Sequence, residues 1–269
     1  MIFVRDKGRL CNNILQYGHV YAWGREHHRQ TMSMRFAYKY PWFHIRETRY
    51  HHFLVYVFAK YAAKLGFIPV VNFDEEGKDY SQEEQRMSNS RMLVVGGWYA
   101  RWYDLFLKYK SEILQLFAFN ENVEQKIDGM LGTKKALRLG VHVRRGDYAS
   151  FMDGRFLYSD EQYVHVIQMF LSLHGERNIE VYVCGNDPHL DKDYYREQLP
   201  KCRVMFPHGH PAEDLCLLSH CDYLIGAPST FSLVAAMYRD LPLYWIENPD
   251  AELTLGSFRY FDDLFRHIH

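Results

Sequence analysis

Residues 139–150, LGVHVRRGDYAS, carry an apolar run with His142 inside it and then two adjacent arginines, Arg144 and Arg145, before Gly146 and Asp147. Guanidinium forks match the oxygen geometry of phosphate and diphosphate. A glycine behind them permits a sharp turn and close ligand approach. The chemistry on offer is neutralisation of an anionic group at the end of a buried strand. A salt bridge closing the strand end, for instance with Asp147, is the structural alternative. A second stretch, GAPSTFSLVAAMYRD (226–240), sets Ser229, Thr230 and Ser232 between a strand and an amphipathic helix. Hydroxyls and free amides at a helix start make an anion site, or simply an N-cap. A third, GRLCNNILQYGHVYAW (8–23), opens a helix with Gly8, Arg9 and Asn12.

These residues need elements to hold them. From about 135 the chain alternates strand and helix. Strands are expected at 137–143, 179–184, 202–206, 222–227 and 242–246, and helices at 159–174, 190–199, 212–220 and 230–240. Parallel strands require such crossovers, and ligands of these sheets sit at the carboxyl ends of the strands. Both the arginine pair and the hydroxyl cluster fall at such ends, so they could converge on one diphosphate. The first half reads as mostly helical. Helices are expected over 13–23, 50–66 (closed by Gly66) and 103–119, with short strands at 31–38 and 91–99 and an exposed loop at 74–90. The break near GMLGTKK divides the chain into residues 1–134 and 135–269.

Bulk composition narrows the class. The 269 residues are 48% hydrophobic and 24% charged with net charge −1, which fits a globular α/β protein without the basic field that nucleic acid requires. The five cysteines, Cys11, Cys184, Cys202, Cys216 and Cys221, follow no metal spacing and suit reduced thiols of a cytoplasmic protein. Only four residues precede the first charge, Arg5, so we expect neither a signal peptide nor a membrane anchor. The histidine-rich pieces EHHRQ, YHHF and PHGHP lack HExxH spacing, and no metal is expected.

The chain resembles the glycosyltransferase family 11 α-1,2-fucosyltransferases. Their HxRRxDY stands here as His142-Val143-Arg144-Arg145-Gly146-Asp147-Tyr148. Their amino-terminal GxLGNQxFQY is similar to Gly8, Leu10, Asn12, Gln16 and Tyr17 in register. Their late block matches Asp214 to Ser219 followed by Ser229-Thr230-Phe231-Ser232. GGWYARWYDLFLKYKSEILQLFAF is similar to their middle segment. Cys11 replaces a family glycine, Asn13 a glutamine, and VCGND (183–187) the usual FSDD, and the tryptophan-rich ending is absent.

The resemblance implies a GT-B-like fold, two Rossmann-type halves facing a cleft, with an acceptor-side domain at 1–134 and a GDP-sugar domain at 135–269. It implies inverting, metal-independent transfer of fucose from GDP-fucose, with no further cofactor, to a hydroxyl such as the 2-OH of a galactoside. The acceptor would be a glycan or a lipid-linked oligosaccharide of polysaccharide assembly, which peripheral membrane association could bring within reach. Arg144 would meet the β-phosphate and Arg145 would orient the donor or Asp147. His142 and Asp214 would meet the guanine, Ser229, Thr230 and Ser232 the phosphates, and Gly8, Arg9 and Asn12 would complete the donor site. An inverting transferase also needs a base for the acceptor proton. Asp147 and Asp153 are near the motif, Asn12 could only orient, and the residues do not choose among them. Two other readings fit the same residues: another GDP-sugar-dependent inverting transferase, of α-1,6 or O-fucosyl type, and an inactive GDP-sugar-binding protein of a polysaccharide assembly complex.

Overall fold

The computed structural model describes residues 1–269 apart from Lys134, Asn186 and His269 and apart from the side chain of Asp147. The chain divides into two compact units, Met1–Glu121 and Asn122–His269.

The first unit holds the sheet that the resemblance implied, of which the residue pattern marked only the strands within 31–38 and 91–99. Its strands are β1 (Ile2–Arg5), β2 (Thr31–Ser33), β3 (Val70–Asn72) and β4 (Leu93–Gly96), in the order β2-β1-β4-β3 and all parallel. Helices α1 (Leu10–Glu26), α2 (Phe53–Lys64), α3 (Ser81–Asn89), α4 (Tyr103–Lys108) and α5 (Lys110–Leu116) make the connections. Phe3, Met32 and Val94 of the sheet pack with Ala59 and Ala62 of α2. Three expectations change. Residues 31–38 are strand only to Ser33. The polar stretch 74–90 contains α3, pinned by buried Met87. The single helix expected over 103–119 is two, interrupted at Tyr109.

The second unit opens with α6 (Glu121–Leu131), whose Val123, Ile127 and Leu131 are buried. An Arg138 Nη2 N–H donates to the Leu131 carbonyl at 2.8 Å. The unit boundary falls at the first residue of α6, ahead of the composition break at 134.

Five parallel strands follow: β5 (Leu137–Val143), β6 (Ile179–Gly185), β7 (Arg203–Met205), β8 (Tyr223–Gly226) and β9 (Leu243–Trp245), in the order β7-β6-β5-β8-β9. Helices α7 (Asp160–His174), α8 (Lys192–Gln198), α9 (Pro211–Ser219), α10 (Thr230–Arg239) and α11 (Phe261–Leu264) flank the sheet. β5 is central and buried on both faces. Leu139, Val141 and Val143 join the core formed with Tyr163, Ile167 and Phe170 of α7. The alternate residues Gly140 and His142 point to the other side, where a Cβ on Gly140 would meet Leu218 at 2.7 Å. The connections diverge between β5 and β8, the switch point at which such sheets bind ligands. No helix among the described residues is long and apolar enough to cross a membrane.

Candidate active site

The carboxyl ends of β5 and β8 come together. The His142 ring stacks on Phe231, with centroids 4.7 Å apart and planes 21° apart. Its Nδ1 lies 3.3 Å from Ser229 Oγ. Burial, and after it the charge of Arg144, push His142 down to about 3, so the imidazole is neutral at physiological pH. Arg144 is half-buried with its guanidinium carbon 5.0 Å from the centre of the Tyr148 ring. Its backbone N–H donates to the Tyr163 hydroxyl at 3.2 Å. The Tyr148 hydroxyl donates to the Pro228 carbonyl at 2.5 Å, joining the loop after β5 to the loop after β8. Gly146 has φ 72°, the left-handed value at which a side chain would be strained. The arginine and hydroxyl stretches thus share one edge, as their positions suggested.

Arg145 faces a different task. Its Nε donates to the Tyr158 carbonyl at 3.0 Å, Nη1 to Asp187 at 2.9 Å and Nη2 to Asp160 at 2.7 Å. Against the cost of burial, the His189 amide and the Arg145 guanidinium hold Asp187 below the usual carboxylate range. The sequence paired Arg145 with Asp147 or with the donor. The structure spends its fork on Asp160 and Asp187, while the side chain of Asp147 lies outside the described residues. Asp187 belongs to VCGND, the segment that departs from the family pattern. Pairing between partners 42 residues apart leaves no local signal. Asp153 is exposed, with φ 55°.

The hydroxyl cluster divides. Ser229 caps α10, its Oγ accepting the Ser232 N–H at 3.2 Å. Ser232 is only 1% exposed. Its Oγ accepts the Trp245 Nε1–H at 3.1 Å and donates to the Ser229 carbonyl at 3.2 Å. This hydroxyl, expected to meet phosphate, is bonded into the core on both sides. Thr230, half-buried, is the first residue of α10.

Asp214 lies in the first turn of α9, which begins with a His210–Glu213 capping box and Pro211 at its start. Glu213 takes Lys126 at 2.7 Å. Asp214 forms no hydrogen bond through its carboxyl with any described residue, and burial followed by the charge of Glu213 pushes it up to about 7. Its charge reaches Cys184, a thiol raised first by burial and then by Asp214. Cys184 is the register partner of His142, so Asp214 borders the same edge.

In the first unit, Gly8 turns the chain between β1 and α1 with φ 88°, and a Cβ there would meet Asn12 Nδ2 at 2.7 Å. Arg9 is exposed at the N-cap of α1 and supplies no side-chain cap. Asn12 stands one turn on. Gln16, which the sequence reading left without a role, bolts this turn. Its Nε2 donates to the Lys7 carbonyl at 2.7 Å and the Asn12 carbonyl at 3.1 Å, and its Oε1 accepts the Lys7 amide at 3.2 Å.

Spacing rules also passed over Glu124, Cys216 and His220, whose donor atoms lie within 4.8 Å of one another. Here His220 Nδ1 contacts the Cys216 carbonyl at 2.8 Å and Nε2 the Arg239 guanidinium at 2.5 Å, so both ring nitrogens are engaged. The group sits at the amino edge of the sheet, where α9 leads into β8, opposite the arginine edge.

A family model described as glycosyl transferase family 11 matches residues 86–240. The chain belongs to that family. The family 11 match covers His142, Arg144, Arg145, Asp214 and the Ser229–Ser232 segment, and stops short of Gly8, Arg9 and Asn12. The chain is 25% identical over 248 residues to galactoside 2-alpha-L-fucosyltransferase SEC1 of Bos taurus, covering 87% of this chain and 63% of that protein. It is 25% identical over 194 residues to an alpha-1,2-colitosyltransferase of Escherichia coli, covering 70% and 62%. It therefore spans less than two thirds of the length of these relatives. Among solved structures it is similar to an Arabidopsis thaliana FUT1 variant in complex with GDP (TM-score 0.68, 14% identity, 96% of this chain and 73% of that one). It is also similar to POFUT1 in complex with GDP (TM-score 0.60, 14% identity, 89% and 94%). The NodZ alpha-1,6-fucosyltransferase soaked with GDP-fucose gives 0.57 at 11% identity over 93% and 97%. The family 11 chain thus has the GT-B-like α/β fold.

Proposed function

We propose that this chain is an inverting fucosyltransferase that moves fucose from GDP-fucose to a glycan hydroxyl, the 2-OH of a galactoside. The observation that carries the reading is the joined edge of β5 and β8, where Arg144 stands beside the Tyr148–Pro228 bond and the start of α10. The Asp214 carboxyl, without a hydrogen bond among the described residues, suits the N1–H and N2 amino donors of guanine. Arg144 and the amino end of α10, with Thr230, face the diphosphate. As the bond from sugar C1 to the β-phosphate oxygen breaks, both electrons stay with the phosphate. A guanidinium aimed at that oxygen lowers the barrier. The acceptor hydroxyl attacks C1 from the opposite face, inverting it, and gives up its proton to a base for which Asp147 and Asp153 are the nearest carboxylates in sequence. Arg145, clamped by Asp160 and Asp187, keeps the loop that carries Arg144 in place.

Finer parts of the reading are metal-independent turnover, a cytoplasmic location, and a lipid-linked oligosaccharide acceptor of polysaccharide assembly met by peripheral membrane association. The colitosyltransferase among the relatives favours a second reading, a different GDP-deoxysugar donor. The test is transfer from labelled GDP-fucose, GDP-colitose and GDP-mannose to an array of galactosides, with and without EDTA, and with the linkage read by NMR. Transfer from GDP-fucose that survives EDTA is expected. Binding of GDP-sugar without transfer to any acceptor would leave only the inactive-binder reading.

A further inference from the structure

Helix α2 has an outer face that the fold does not use. Its inner face, Ala59 and Ala62, packs on the first sheet. On the outside, Leu54 is 79% exposed, Phe58 51%, Tyr61 50% and Leu65 66%, flanked by Phe53 at 58% and Phe67 at 78%. At about 100° per residue, Leu54, Phe58, Tyr61 and Leu65 fall within an arc of roughly 60°. Monomeric soluble proteins rarely expose so continuous an apolar stripe without a partner for it.

The charges around the stripe point to that partner. From Thr48 to Phe73 the chain carries no aspartate or glutamate, while Arg49, Lys60 and Lys64 lie in the same stretch of a protein whose net charge is −1. Lys60 and Lys64 are exposed and stand about a quarter-turn round the helix from the stripe. Lys60 Nζ lies 5.7 Å from the ring centres of both Tyr56 and Tyr61, a stem laid along apolar surface with its charge outermost. None of Arg49, Lys60 and Lys64 has an ion-pair partner among the described residues. Apolar and aromatic side chains on one arc with cations at its margin are what a helix lying in a lipid interface presents. Pairing with a second copy would bring the same lysines together with no carboxylate in the stretch to neutralise them.

We propose that the outer face of α2 docks on an anionic lipid surface. Leu54, Phe58, Leu65 and Phe67 enter the headgroup boundary, and Lys60, Lys64 and Arg49 meet the headgroup phosphates. This specifies the peripheral association named above, and its readout requires no sugar transfer.

The test is co-sedimentation of the full chain with vesicles of phosphatidylcholine alone and with added phosphatidylglycerol. The wild-type chain should bind the anionic vesicles more tightly and lose binding as salt rises. Each lysine removed should weaken binding about fivefold, so Lys60→Gln with Lys64→Gln should weaken it about 25-fold. Leu54→Ser with Leu65→Ser should weaken it at least about tenfold by removing apolar area. Neither pair should lower the thermal midpoint or transfer to a soluble acceptor. Absence of vesicle binding by the folded wild type would overturn the proposal, as would binding that neither double variant changes. A dimer in light scattering that falls apart in Leu54→Ser with Leu65→Ser would assign the face to a second copy and overturn it as well. Vesicle binding by a chain that transfers no sugar would uphold the surface and fail only the reaction.

Discussion

Arg145 and Asp187 form an ion pair with Nη1 and Oδ2 2.9 Å apart, each side chain 14% exposed, and the pair ties the loop after β5 to the loop after β6. The pair exists because VCGND ends in a carboxylate at this position. Asp187→Ala should lower stability by about 2 kcal/mol, the loss expected when a charged hydrogen-bond partner is removed from a largely buried arginine. The folded carboxyl titrates below its unfolded value, so this stability is present above about pH 4 and is lost as pH falls further through the folded value. Thermal midpoints of wild type and Asp187→Ala should therefore converge in acid. A constant gap down to pH 2 would show that the pair contributes nothing electrostatic.

Arg144→Lys should fold normally and lose turnover. Lysine keeps the charge but not the fork. The expected loss is about 2–4 kcal/mol of transition-state stabilisation, roughly 30- to 1000-fold. Thermal midpoint and turnover measured on one preparation decide the matter. A destabilised but fully active variant would make Arg144 a strand-end tie.

Asp214 predicts a pH profile. With its carboxyl pushed up to about 7 in the free protein, guanine donors bind the ionised form. GDP affinity should rise with pH through 7 and be about tenfold weaker at pH 6 than at its plateau. Asp214→Asn should flatten the profile and narrow the preference for GDP over ADP. The folding sign is opposite. A raised folded value means the native state holds its proton more tightly, so this group's stabilising contribution is complete below about pH 4 and declines as pH rises to 7. Calorimetric GDP titrations across pH that match between wild type and Asp214→Asn would refute the guanine assignment.

Ser232→Ala should leave GDP affinity unchanged. It strips the Trp245 indole N–H of its acceptor in a buried site and should cost about 1–3 kcal/mol. A tenfold loss of GDP affinity at unchanged thermal midpoint would restore the phosphate role.

Cys11 is 2% exposed in the first turn of α1. Restoring the family's glycine there should lower stability by about 1–2 kcal/mol through a small cavity and a glycine inside a helix. A raised thermal midpoint in Cys11→Gly would show that the thiol is strained rather than packed.

The second sheet was legible because its central strands are continuous apolar runs bounded by turn residues, and 137–143 emerged as β5 unchanged. The first sheet was not. β1 and β3 are four and three residues long, too short for periodicity to separate them from their surroundings. The 103–119 stretch keeps Phe106, Ile113 and Phe117 buried at helical spacing across Tyr109, so the pattern conceals the break. At the site, sequence placed His142, Arg144 and Ser229 on one edge because each ends or follows a strand. It could not tell which hydroxyl turns inward, since Ser232 is oriented by Trp245 from a strand further along the chain. Nor could it foresee partners for Arg145 at the start of α7 and in the loop after β6.

The bond from Tyr148 to Pro228 closes 80 residues of chain. A contact of such long range is expected to form after the folding barrier, once β5 and β8 have already paired. Its energy then falls mainly on the unfolding rate. The edge that holds the arginines should resist opening for longer than its equilibrium stability alone implies, which bears on how the protein survives proteases and heat rather than on how quickly it reaches its native form.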